Sequence, residues 1–216
     1  HPTFMATTLA DRPAQLPEPN LDHLLRLTDS TGILQHAVFT VPNYSEGYTT
    51  DDNARAAIFS VIAQQSGIVV PGAERYLAFL WHAFNLEAKR FRNFLRYDRH
   101  WAERLGSEDS HGRAVWALGT VIGRSEDDGL RGLAGRLFDQ ALPASLAFTS
   151  PRAWAFVLLG CHEYFQRFAG DRAAQLVRDT LVNRLVRLYE ENSSGNWIWF
   201  EDVVSYSNPS LSHAML

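Results

Sequence analysis

Twice in this chain a knot of charge stands directly before a run too apolar to face water. The stretch TDDNARA, Thr50 to Ala56, opens the run Ala56 to Ala63, and EDSHGRA, Glu108 to Ala114, opens the run ending at Ile122. A step of 58 residues carries Asp51 onto Asp109, Arg55 onto Arg113 and, further on, Pro151 onto Pro209. Inner helices are therefore expected to begin near residues 50, 107, 150 and 208, at a spacing of about 50 residues, which is two helices and two loops. A chain built this way is all-α, a helical-hairpin array.

Two kinds of helix alternate in it. ARAAIFSVIA, RAVWALGTVI and RAWAFVLLGC are apolar nearly all round, as is the start of SLSHAML, and such helices are buried on both sides. Between them lie amphipathic segments, with apolar positions at Leu77, Leu80, Trp81 and Phe84, at Leu130, Leu133, Leu137, Phe138 and Ala141, and at Val177, Leu181, Leu185 and Leu188. These belong on the outside. Thr50 and Ser107 stand where N-caps are wanted, and Ser150-Pro151 and Asn208-Pro209 read as cap-plus-proline starts. Inner helices that run parallel open their N-termini on one rim, which brings sequence-distant polar clusters together. Six such hairpins closed on themselves make an (α/α)6 toroid, so four inner starts make part of one. The expected domain is incomplete at its C-terminus, and its unfinished edges invite self-association or another chain.

Residues 1–17, with Pro2, Pro13 and Pro17, read as an extended arm, and 18–216 as a single domain. A short helix follows Asn20 as cap and stops at Gly32; then ILQHAVFTVPNYSEGY is a long loop with room for a hairpin. The formal charge of −4 comes without any basic run, which argues against nucleic acid or an anionic membrane surface as partner. No stretch approaches the roughly 18 apolar residues of a membrane span, and no signal peptide is evident, so the expected location is the cytoplasm. Cys161, the one cysteine, lies in FVLLGCHEYF and reads as a buried thiol. The sequence contains neither HExxH, paired cysteines, an EF-hand, a phosphate loop nor a GxSxG elbow, so neither metal nor cofactor is expected.

Three clusters can carry chemistry. In the first, Asp51 and Arg55 stand four apart and can pair along the helix, with Asn53 beside them, leaving Asp52 free to point into the mouth. A carboxylate at a helix N-terminus suits a base or nucleophile. In the second, Asp109 and Arg113 repeat the pair, leaving Glu108 and His111 spare. The third is the loop SSGNWIWFEDVVSYSNPS, where Trp197, Trp199 and Tyr206 accompany Glu201 and lead to Asn208. Indole faces stack on the CH faces of sugars while carboxylates accept their hydroxyls, and a carboxyl group among aromatic rings suits a general acid. Asp52, Glu201 and Glu108 are the catalytic candidates. Asp51, Asn53, Arg55, Asp109, His111, Arg113, Arg152, Trp197, Trp199, Tyr206 and Asn208 are the candidates for substrate binding. Structural alternatives stand beside each: capped helix starts, i,i+4 salt bridges and tryptophans that plug loops onto the core.

GYTTDDNARA, SEDSHGRAVWALG, SPRAWAFVLLG and WIWFED followed by YSNPSLSHAML resemble, in that order, a largely uncharacterised bacterial family of six-hairpin glycosidase-like proteins. Its members occur alone or attached to glycosyltransferase modules. The resemblance spans about residues 30–216 and implies an (α/α)6 toroid and a carbohydrate role. The expected function is a carbohydrate-active enzyme, a glycoside hydrolase acting on an oligosaccharide through a carboxylate pair, with a related lyase or epimerase as variants. The alternative is a non-catalytic saccharide-binding or scaffold module serving a glycosyltransferase.

Overall fold

A computed structural model describes residues 19–216; the expected arm at 1–17 lies outside the described residues. The molecule is mostly helical. After α1 (Asp22–Leu27) comes a hairpin of β1 (Ala37–Val38) and β2 (Val41–Pro42), then β3 (Tyr48–Thr49) running into α2 (Thr50–Gln65) and α3 (Glu74–Ala83). Three two-residue strands, β4 (Phe84–Asn85), β5 (Arg90–Phe91) and β6 (Phe94–Leu95), precede α4 (Glu108–Arg124). The remainder is α5 (Asp128–Ala141), a 3-10 turn at Leu142–Ala147, α6 (Pro151–Phe168), α7 (Arg172–Asn192) and α8 (Pro209–His213). No helix among the described residues is long and apolar enough to cross a membrane.

The inner helices are parallel, and glycine sets how close they come. A methyl group on Gly119 would stand 2.1 Å from the carbonyl oxygen of Gly160, and one on Gly123 would stand 2.2 Å from that of Glu163. Gly112 meets Ala153 in the same register, so α4 and α6 run side by side in one direction with their backbones nearly touching. On the other flank of α4, Arg113 reaches Asp51 near the start of α2, and Arg124 reaches Gln65 at its end. The C-terminal ends of α4 and α6 are tied by a fork between Arg124 and Glu163, at 2.5 and 2.6 Å. Around them α5 and α7 bury Leu137, Phe138, Ala141, Val177, Leu181 and Leu185, the stripes the periodicity predicts. One apolar core runs from Leu27 to Leu211.

Several local expectations are corrected. Thr49, not Thr50, caps α2: its Oγ1 accepts from the Asp52 amide, while the Thr50 hydroxyl donates to the Arg92 carbonyl. Ser107 and Ser150 do cap α4 and α6. Asn208 has helical backbone and makes no side-chain cap. The first helix ends at Leu27, well before Gly32, whose hydrogen in place of a side chain makes room for Asn53, since a Cβ there would stand 2.3 Å from Asn53 Oδ1. Of the stripe expected on α3, Leu77 and Leu80 are buried, Phe84 is buried just beyond the helix end, and Trp81 is 61% exposed, its place in the core taken by Tyr76 and Phe79. The segment between α3 and α4 holds short strands because β6 pairs with β3, a long-range partner that local propensity does not announce. Of the inner helices, α2 is open on one side: Phe59 and Ile62 are 38% and 43% exposed.

Candidate functional site

The N-terminal ends of α2, α4, α6 and α8 meet at one rim and are joined there by polar contacts. Asp51 Oδ1 lies 2.8 Å from Arg113 Nε, an ion contact without hydrogen-bond alignment, and its Oδ2 accepts from Arg55 Nη2 at 3.3 Å. Asp109 accepts from the Ser150 hydroxyl at 2.8 Å and from the Tyr206 hydroxyl. Arg152 then connects α6 to the loop before α8. Asp51 and Asp109, one repeat apart, thus each reach forward to the next hairpin.

The expected i,i+4 pairs fare differently. Asp51 and Arg55 do pair, but Asp109 and Arg113 do not: Arg113 turns to Asp51 and lies 4.1 Å above the ring of Phe156. Its side chain is 14% exposed and, among the described residues, its terminal Nη groups make no hydrogen bond. Asp52, expected to be free, is held by Arg55 Nη2 at 2.6 Å and by the Thr49 hydroxyl at 2.5 Å. Burial pushes the Asp51 carboxyl above its ordinary range; Arg113 and Arg55 oppose that shift, and Asp52 and Asp109 reinforce it.

Four of the expected site residues are engaged in scaffolding. His111 is fully buried between the rings of Phe91 and Phe148. Its Nδ1 accepts from the Phe91 amide at 3.4 Å and its Nε2 lies 3.1 Å from the Ala141 carbonyl, so the neutral tautomer with hydrogen on Nε2 satisfies both. Burial, aided by Arg90, pushes its pKa down to about 3. It lines no mouth. Asn53 is likewise buried, accepting from the Ile33 amide at 3.0 Å and donating to the Thr49 carbonyl at 2.8 Å. Glu108 Oε2 accepts from the amides of Thr149 and Ser150, at 2.8 and 2.7 Å, and so fixes the entry to α6. Asn208 accepts from Arg152 at 3.0 Å.

The third cluster closes on itself. Arg152 is 5% exposed and donates to Glu201 Oε1 at 2.9 Å, to Ser205 Oγ at 2.6 Å, to Asn208 and to the Tyr206 carbonyl. Its Nη2 also lies 2.8 Å from Glu201 Oε2, and its guanidinium sits 4.8 Å from the Tyr206 ring centre. Glu201 is therefore the partner of a cation and not a carboxyl set among apolar rings. Trp197 donates to the Glu201 carbonyl at 2.6 Å. Trp199 is half-buried edge-on against Phe200, which packs on Tyr189, and its Nε1 has no partner among the described residues. Trp199 plugs the loop onto the core, whereas Tyr206 stays exposed.

Loop residues without periodicity escaped the sequence reading. Asn93 Oδ1 receives the Asp51 amide at 3.3 Å, and Glu103 receives the amides of Asn93 and Phe94 at 2.7 and 3.0 Å. Arg90 lies 4.6 Å over the Phe148 ring beside His111. No local signal flags them: Asn93 is uncharged, and Arg90 and Glu103 lie in a segment already crowded with charged residues. Cys161 is buried as expected, its thiol pushed up to about 12 by desolvation. No known protein family model, curated protein or solved structure gives a significant match to this chain.

Proposed function

We propose that the chain is a carbohydrate-active module whose hairpins form part of an (α/α)6 toroid, and that it cleaves a glycosidic bond at the mouth around Asp51, Asp52 and Arg113. The observation that carries the reading is the acid pair at the start of α2. Burial raises the Asp51 carboxyl in spite of its contacts with Arg113 and Arg55, while its neighbour Asp52 is ion-paired to Arg55 and accepts from the Thr49 hydroxyl. Two carboxyl groups in unlike settings divide the work of glycoside hydrolysis, one donating a proton and the other acting as base or nucleophile. Asp51 takes the acid role first assigned to Glu201, and Asp52 keeps the role of base. Arg113 offers its free Nη donors to sugar hydroxyls. Parallel inner helices wrapped by α5 and α7 support the toroid, and the exposed Phe59 and Ile62 support association along the flank of α2.

A panel of aryl glycosides and oligosaccharides tests this. Asp51→Asn and Asp52→Asn are each expected to lower turnover by orders of magnitude with helicity unchanged by circular dichroism. Turnover that survives both changes rejects the assignment.

A second reading has its own observation. Glu108, Glu201 and Arg152 spend their polar atoms on the protein itself, as residues of a non-catalytic saccharide-binding or scaffold module serving a glycosyltransferase would. That reading predicts sugar binding that persists in both aspartate variants and no turnover by the wild type.

A further inference from the structure

Outside the acid cluster, three tyrosines stack in a row beside the β3–β6 ladder. The ring centres of Tyr44 and Tyr97 are 4.6 Å apart at 21°, and those of Tyr97 and Tyr48 are 6.3 Å apart at 16°. Tyr48 ends the row inside the protein, 1% exposed, its hydroxyl donating to Asp29 at 2.6 Å. Tyr44 and Tyr97 are 52% and 48% exposed, and among the described residues their hydroxyls have no hydrogen-bond partner. Tyr97 stands between Tyr48 and Tyr44, so Tyr44 carries the outermost ring of the row and Tyr97 backs it.

The stack is held rigidly from behind. Tyr44 rides on a 3-10 turn whose cap, Asn43 Oδ1, accepts from both the amide and the hydroxyl of Ser45. Gly47 leaves that turn at φ 65°, and a Cβ there would stand 2.3 Å from the Leu95 carbonyl, so a side chain is excluded where the turn presses on β6. Tyr97 sits in a tight loop closed by the Arg96 amide on the His100 carbonyl at 3.0 Å, and Arg99 ties this loop to Ser30. A preformed aromatic face costs little ordering entropy on binding. Polar residues flank the two tyrosines in sequence and are exposed: Ser45 and Glu46 after Tyr44, and Asp98 and His100 after Tyr97, the last two in contact with each other at 3.2 Å. An aromatic plane with a polar border fits a pyranose ring, whose faces are CH and whose rim is hydroxyl, better than it fits an apolar protein surface.

We infer that Tyr44 and Tyr97 form an accessory saccharide subsite, separate from the acid cluster and engaged only by an oligosaccharide. This rests on the carbohydrate reading above. Gly47 and the strand residues Tyr48 and Thr49 stand between the turn that carries Tyr44 and the start of α2, a chain length of at most on the order of 10 Å at strand rise. A single sugar ring fills one place or the other; a chain of rings reaches both.

Calorimetric titration of the full chain tests it, with glucose, mannose and galactose and with cello-, manno- and malto-hexaoses as probes. Tyr44→Ala, alone and with Tyr97→Ala, is expected to weaken hexasaccharide binding roughly tenfold, the scale of one lost aromatic contact, and to leave monosaccharide binding unchanged. Tyr44→Phe, which keeps the ring, should match the wild type, and thermal melts confirm that each variant folds. Hexasaccharide binding by the wild type that the double alanine variant retains in full overturns the subsite alone. Equal losses for single sugars and hexasaccharides place the tyrosines in the main site and overturn it too. A wild-type chain that binds none of the probes overturns the subsite and the carbohydrate reading together.

Discussion

The helix starts at Thr50 and Glu108 share a sequence register, and beneath the surface they do the same job. Asn53 and His111, at equivalent places, are both fully buried, and each clamps the loop that precedes its helix: Asn53 holds Ile33, and His111 holds Phe91 together with Ala141. At the surface they differ. Arg55, 53% exposed, pairs with the two aspartates of its own turn, whereas Arg113, 14% exposed, leaves Asp109 to Ser150 and Tyr206 and crosses to Asp51. The cause is position in the array. With α6 against one flank and α2 against the other, α4 has a neighbour wherever its arginine points, while α2 has open solvent beside Phe59. A repeat fixes the buried contacts that every hairpin needs and leaves the rim contacts to whatever stands next door.

The largest test strikes the shared brace. Asn53→Leu and His111→Leu each strand buried backbone groups, and each is expected to cost about 3 kcal/mol in urea denaturation; if one costs almost nothing, the two positions are not equivalent. A second test separates them, because only one of the two titrates. The folded pKa of His111 is depressed to about 3 from 6.5, so the unfolded chain takes up the proton first. Its contribution is complete above about pH 6.5 and is lost as pH falls toward 3, at about 1.4 kcal/mol per pH unit. The difference between wild type and His111→Gln should follow that slope, whereas wild type and Asn53→Gln should differ by an amount that stays level over the same window. The smallest effects lie on the rim. Arg113→Gln removes a half-buried ion contact and a cation over Phe156 and is expected to cost about 1 kcal/mol; Arg55→Gln, at an exposed pair, about 0.3 kcal/mol. Equal costs in thermal melts would erase the difference the neighbouring helices are held to make.

The Asp51–Arg55 pair was legible because it lies within one helical turn, where spacing governs contact, whereas Asp52, read as free, is held by Arg55 and Thr49. Glu201 was misread for the opposite reason: its loop brings it to Arg152, 49 residues earlier, and only that encounter turns a supposed acid into a salt-bridge partner. His111 was misread similarly, since helix periodicity says nothing of the Phe91 and Phe148 rings that close over it.

By itself the sequence determined the helices, their two kinds and their order, because apolar periodicity and capping are local and burial must match them. It also determined that the inner helices could nearly touch, by placing glycine at 112, 119, 123 and 160. The tertiary structure alone decided which partner each rim carboxylate takes: Arg113 for Asp51, the amides ahead of α6 for Glu108 and Arg152 for Glu201. A charged side chain takes the nearest partner in space, and across hairpins that partner is set by packing, not by distance along the chain.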